Sequence, residues 1–185
     1  MSELKKLLAL DQASQVSGYA VFDEDGTLVS YGKITTEGEP IDRIISLTEK
    51  VDKIIEEFGI EEVVIEDIYY SGNVETFKIL SFTMAGLLFL FTEKEIPYSI
   101  LNATIWKSKC GVKGKNRPEQ KRNAQKFVEN EYGLKVIQDI ADAVCIGTGH
   151  IRKKYHKDAK KNDKCQSNEK DLLSYDSKKR NESYV

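Results

Sequence analysis

Apolar and polar positions alternate along this chain in patterns that change period several times. Leu7-Leu8-Ala9-Leu10 is an unbroken apolar run closed by Asp11, as expected of a strand buried on both faces. Gly18–Phe22 and Leu28–Ile34 read as two further strands. They are joined by Asp23-Glu24-Asp25-Gly26, whose Asp-Gly pair is a strong hairpin signal. From Pro40 the spacing becomes helical, with Ile41, Ile44, Ile45, Leu47, Val51, Ile54, Ile55 and Phe58 in register until Gly59 ends the run. Val63-Val64-Ile65-Glu66 is a short strand that again ends in a carboxylate. A second helix is predicted from about Val74 to Glu95, apolar around most of its circumference, so more than one of its faces must be covered. Pro97 leads into a fifth strand, Tyr98–Leu101. A short helix around Ala103–Lys107, a loop Gly111–Pro118, a basic helix Pro118–Tyr132 and a last helix Ile137–Arg152 follow. Three antiparallel strands followed by strand–helix alternation predict an α/β fold. Its five-stranded mixed sheet, antiparallel and then parallel, carries helices on both faces.

A length of 185 residues fits one domain and a tail. The domain is expected over 1–152. Residues 153–185 form a basic tail with almost no apolar residues, and disorder is expected there. Net charge changes the picture only when it is sorted along the chain. The total of −2 argues against a nucleic-acid partner. Residues 1–101, however, hold 19 acids and 8 bases, whereas residues 102–126 hold 8 bases and one acid. An acidic body with one dense basic segment can steer a polyanion whatever the total. Cys110, Cys145 and Cys165 are odd in number and lack C-x-x-C spacing, which points to reduced thiols. The start MSELKK lacks the apolar core of a signal peptide. The apolar stretch Ile79–Phe91 is shorter than the roughly 20 residues a bilayer span needs, so no membrane partner and a cytoplasmic setting are expected.

Four acids stand out by position. Asp11 and Glu66 end the first and fourth strands, and Asp139 and Asp142 lie on one face at the start of the last helix. If the first and fourth strands are parallel neighbours, Asp11 and Glu66 project from the carboxyl edge of the sheet, where ligands gather in α/β folds. Each alone could be a turn former or a cap. Each also abuts an apolar segment, and a charge at the edge of a core needs a reason. Converging carboxylates repel, and a divalent cation offsets that. Oxygen-only donors favour Mg²⁺ or Mn²⁺. Asp67 points the other way on an extended strand and is the poorer ligand.

LLALDQASQVSGYAVFD, VVIEDIYYSGN and DIADAVCIGTGH together resemble, in order and spacing, the three acidic motifs of RuvC-type Holliday junction resolvases. The resemblance covers roughly residues 6–152 and is closest in style to short phage-borne members. Gln12-Ala13 stands where the bacterial form usually has Pro-Gly. It implies a ribonuclease-H-like fold and a homodimeric endonuclease that nicks branched DNA symmetrically, leaving 5′-phosphates, in a bacterial or phage-infected cell. The implied catalytic set is Asp11, Glu66, Asp139 and Asp142, holding two Mg²⁺ per active site with Mn²⁺ able to substitute, together with Lys121 near the scissile phosphate. Lys107, Lys109, Lys113, Lys115, Arg117, Lys121 and Arg122 are expected to bind the DNA backbone, with salt-sensitive contacts. Tyr69, beside Tyr70, matches the position of a residue that stacks on an unpaired base at the crossover. Trp106 reads as core packing and His150 as a hydrogen-bonded structural histidine. Val74, Phe77, Ser81, Met84, Leu88 and Phe91 recur close to a heptad, so one face of the second helix can pack on the sheet and another against a twofold mate. The alternatives are a branched-DNA or fork nuclease without junction specificity, a non-catalytic junction-binding protein, and a nucleotide-binding domain of the actin/sugar-kinase type. The last needs two such domains to clamp its nucleotide.

Overall fold

The structure is a computed structural model that describes residues 5–154. Residues up to 151 form one unit, to which the sheet and the acids belong. Apart from its first two residues, the basic tail expected over 153–185 lies outside the described residues, as does Cys165.

Five strands form one sheet: β1 (Leu7–Asp11), β2 (Val16–Phe22), β3 (Leu28–Thr35), β4 (Glu62–Glu66) and β5 (Tyr98–Leu101), in the spatial order β3-β2-β1-β4-β5. The β1–β2 and β2–β3 pairs are antiparallel; the β1–β4 and β4–β5 pairs are parallel. This is the expected mixed sheet. The hairpin between β2 and β3 turns where expected, with the Asp23 carboxylate accepting the Thr27 N–H at 2.9 Å and Gly26 at a φ of 84°.

Strand periodicity divides the core. Leu8, Leu10, Val21 and Ile65 face one way, where α1 (Pro40–Phe58) adds Leu47, Val51 and Ile55 and α2 (Val74–Glu93) adds Leu87, Leu90 and Phe91. Leu7, Ala9, Ala20, Phe22 and Val64 face the other way. There they meet α3 (Ala103–Cys110), α4 (Arg117–Tyr132) and a fifth helix, α5 (residues 138–154). Alternation along single strands thus fills both layers, which is why β1 reads as a continuous apolar run.

Several boundaries differ from the sequence reading, each for a local reason. α2 stops at Glu93 because the chain turns at Lys94 and Glu95, the latter at a φ of 55°. α3 runs on to Cys110, where Gly111 supplies the left-handed cap at a φ of 66°. α4 begins one residue early, at Arg117, because Asn116 caps it by accepting the Glu119 N–H at 3.0 Å and Pro118 sits in its first turn. The apolar stretch expected over 79–91 belongs to a 20-residue helix that, by length and composition, is long and apolar enough to cross a membrane. Its Leu87, Leu90 and Phe91 instead enter the core against the sheet, while Val74, Phe82 and Phe89 remain exposed. More than one face of α2 is therefore apolar, as expected.

Candidate active site

Parity places the first two acids. Asp11 continues the Leu7, Ala9 series and Glu66 continues from Val64, so both leave the sheet on the α3–α5 face. The β1–β4 register pairs Leu10 with Ile65, which makes Asp11 and Glu66 the next neighbours at the carboxyl edge. Asp67, on the opposite parity, is exposed.

The last helix brings the other two acids over this edge, and a glycine makes that possible. Gly18 is the antiparallel partner of Asp11. A Cβ there would lie 1.9 Å from the backbone oxygen of Asp139, so only glycine lets the first turn of α5 settle onto β2. Further along, a Cβ on Gly149 would come 2.6 Å from the Trp106 Cβ, which sets the approach of α5 to α3. His150 anchors the same helix through Nε2 to Glu62 Oε1 at 2.9 Å, a buried structural contact at the far end of β4.

Three of the four acids are shifted, each partly by its neighbours. Burial pushes the Asp11 carboxyl well above its ordinary value, and the charges of Glu66, Asp142 and Asp139 push it further. Glu66 is raised by burial, against the pull of its hydrogen bonds to Trp106 and Asp11 and of the cations Lys107 and Arg117. Asp142 is raised to about 6, by burial first and then by Glu66, with Lys121 and Lys107 opposing. Lys121 and Lys107 are thus brought to the acids, and Arg117 to Glu66. Lys113, Lys115 and Arg122 are exposed, Lys109 is half-buried on α3, and Tyr69 is 82% exposed beside a Tyr70 that packs edge-on against Phe77. Among the described residues no three His, Cys, Asp or Glu side chains are already spaced as a closed metal-ligand set. The donors nonetheless suit a hard divalent cation: all are carboxylate oxygens, and their mutual repulsion and burial are what a positive ion relieves.

Three contacts were not read from the sequence. Trp106 is core, as expected, but its Nε1 also donates to Glu66 Oε1 at 2.7 Å. Gln12 donates from Nε2 to the backbone oxygen of Glu66 at 2.8 Å, and its buried Oε1 has no hydrogen-bond partner among the described residues. Gln138, next to Asp139, lines an open cavity of about 330 Å³ with Arg117, Pro118, Lys121, Arg122 and Gln125. The cavity joins the basic start of α4 to the acidic start of α5, offering adjacent room for a phosphate. The Gln12 and Gln138 positions carried a local clue in being polar residues beside each proposed ligand. Trp106 carried none, because its partner is 40 residues away.

The chain matches the family model described as crossover junction endodeoxyribonuclease RuvC over residues 7–150. The protein named crossover junction endodeoxyribonuclease RuvC from Sulfurovum sp. is 32% identical over 156 residues, covering 80% of this chain and 95% of that protein. The one from Fusobacterium nucleatum is 27% identical over 154 residues, covering 79% and 80%. Among solved structures, Thermus thermophilus RuvC in complex with Holliday junction substrate superposes with a TM-score of 0.70 at 16% identity, over 82% of this chain and 96% of that one. The yeast mitochondrial Holliday junction resolvase gives 0.53 at 17% identity, over 81% and 79%. These structural likenesses establish a shared fold of the expected ribonuclease-H-like kind.

Proposed function

This chain belongs to the RuvC family of crossover junction endodeoxyribonucleases, and on that premise we propose how its own residues resolve branched DNA. The enzyme is a junction-resolving, metal-dependent nuclease. Asp11, Glu66, Asp139 and Asp142 hold the metal, Mg²⁺ with Mn²⁺ able to substitute, as two ions per active site. Bound divalent cations stabilise charge on the scissile phosphate and acidify water for attack. The single observation that carries this reading is the electrostatic convergence of four acids, from two adjacent strands and one helix, in a setting that raises the pKa of three of them.

The protein's groups divide the remaining work. The acids keep their own phosphate-repelling charge offset only when a cation is present, so metal and DNA bind cooperatively. Lys121, already close enough to lower Asp11 and Asp142, is placed to meet a non-bridging phosphate oxygen and offset charge as it builds. Arg117, Lys121 and Arg122 around the open cavity hold the neighbouring backbone, and Lys107, Lys109, Lys113 and Lys115 continue that track. Water adds across the phosphodiester, giving a 5′-phosphate and a 3′-hydroxyl. Tyr69, at the tip after Glu66, stacks on an unpaired base at the crossover. The exposed Phe82 and Phe89 on α2 face a second copy, so that two active sites cut two symmetry-related strands in the cytoplasm of a bacterial or phage-infected cell. A purely binding role leaves this strained acid cluster without a task.

The test is cleavage of a mobile four-way junction, a replication fork and a linear duplex in Mg²⁺, with product ends sequenced. Paired symmetric nicks in the junction, with the duplex intact, are expected. Equal cutting of all three would overturn the junction assignment.

A further inference from the structure

Glu66 is held at two points by residues that carry no charge. Gln12, the residue after Asp11, grips its backbone oxygen at 2.8 Å and ties the ends of β1 and β4 together. Trp106 grips its side chain at Oε1 through a 2.7 Å hydrogen bond from a ring that is only 2% exposed. The ring cannot easily swing away. Its Cβ lies against Gly149 of α5, and the Lys107 ammonium sits 5.2 Å from its centroid while also bonding Gln120 Oε1 at 3.1 Å. A buried indole N–H needs an acceptor, and a partly buried carboxylate needs donors; each satisfies the other.

We infer that Trp106 is a positioning residue for the reaction: its indole N–H holds the Glu66 carboxylate in the orientation in which it receives the cation. This rests on Glu66 being a metal ligand. Four acids that repel one another would otherwise turn their carboxylates apart, and a fixed donor on one of them reduces the rearrangement a cation must impose. Groups that hydrogen-bond metal ligands typically change metal affinity or activity by about 10- to 100-fold when removed.

The chain contains one tryptophan, so the brace can be followed by its own fluorescence. The expected result is a change in Trp106 emission as Mg²⁺ or Mn²⁺ is added to the wild-type protein without DNA. The change should saturate over the concentrations that raise its melting temperature, and it should be lost in Glu66→Gln. Emission that ignores the cation while the melting temperature rises would overturn the inference. The second arm replaces Trp106 with β-(3-benzothienyl)alanine, which keeps the ring volume but substitutes sulfur for the N–H; Trp106→Phe serves as a smaller comparison. The isostere should melt within a few degrees of wild type yet need about tenfold more Mg²⁺ for half-maximal stabilisation and for half-maximal junction cleavage. An unchanged Mg²⁺ requirement would make Trp106 a packing residue only. Failure of the underlying reading shows separately: Glu66→Gln would then still cleave in Mg²⁺.

Discussion

The two faces of the sheet use the same strands for different ends. On the α1–α2 side the inward positions of β1 and β4 end at Leu10 and Ile65, within a cluster of apolar side chains from both helices. On the α3–α5 side the series continues one residue further and ends at Asp11 and Glu66. That single step sets carboxylates where the other face has only packing. The first face is stabilised by burial of Leu47, Val51, Leu87 and Phe91. The second gives up stability at its edge, because Asp11, Glu66 and Asp142 are all raised by burial and so resist the charged state. Both layers carry a core, so what separates them is the carboxylate edge of one, where removing an acid and removing an apolar side chain act oppositely on stability.

Removing a charge on one side and apolar bulk on the other should have the two largest effects. Asp142→Asn should lower Mg²⁺-dependent junction cleavage by about 10³-fold or more, measured under single-turnover conditions, with junction binding retained. Leu87→Ala, on the apolar face, should cost about 2–5 kcal/mol in denaturant unfolding. Were the two effects exchanged, the division would be wrong.

Gly18→Ala comes next. Its methyl would enter the backbone oxygen of Asp139, so α5 must shift and carry Asp139 and Asp142 away from Asp11. Cleavage should fall by about 100-fold, since misplacement near 1 Å has that effect on positioned groups. Wild-type activity in this variant would show that α5 does not depend on the close approach.

Lys121→Ala should weaken cleavage by about 10- to 100-fold and reduce the salt dependence of junction binding by about one counterion, read from binding at several salt concentrations. An unchanged slope would place Lys121 off the DNA path.

A further effect is on pH. Asp142 titrates at about 6 in the folded protein but near its ordinary lower value when unfolded, so the folded state binds more protons between those limits. Metal-free stability therefore falls as pH rises through that window. The deficit, up to about 3 kcal/mol from this group, is fully present above the folded pKa. Cation affinity runs the other way and weakens as pH drops, because protons compete for Asp142, raised to about 6, and for Asp11, whose carboxyl is also raised. Melts from pH 5 to 8, with EDTA and with Mg²⁺, should show the two trends diverging.

Much of this was legible in the residues. The run Leu7–Leu10, the Asp-Gly turn and the strand-ending Glu66 announced the sheet. The i, i+3 spacing of Asp139 and Asp142 puts both on one helix face. What escaped was tertiary. Nothing local to Trp106 says that its N–H meets Glu66, and a tryptophan flanked by Ile105 and Lys107 reads as packing. Gly18 reads as an ordinary strand residue; its role lies in the close approach of the Asp139 backbone. The helix ends moved for a smaller reason, since Gly111 and Glu95 adopt left-handed backbone that periodicity does not register.

If the acids hold a cation as proposed, their cluster destabilises the protein alone and stabilises it once the cation is bound. One measurement addresses it most directly: melting temperatures of wild type and Asp142→Asn near pH 7.5, each in EDTA and in saturating Mg²⁺. The variant should melt higher than wild type in EDTA and gain little from Mg²⁺, whereas wild type should gain several degrees. A variant that melts lower in EDTA and gains as much from Mg²⁺ as wild type would contradict it.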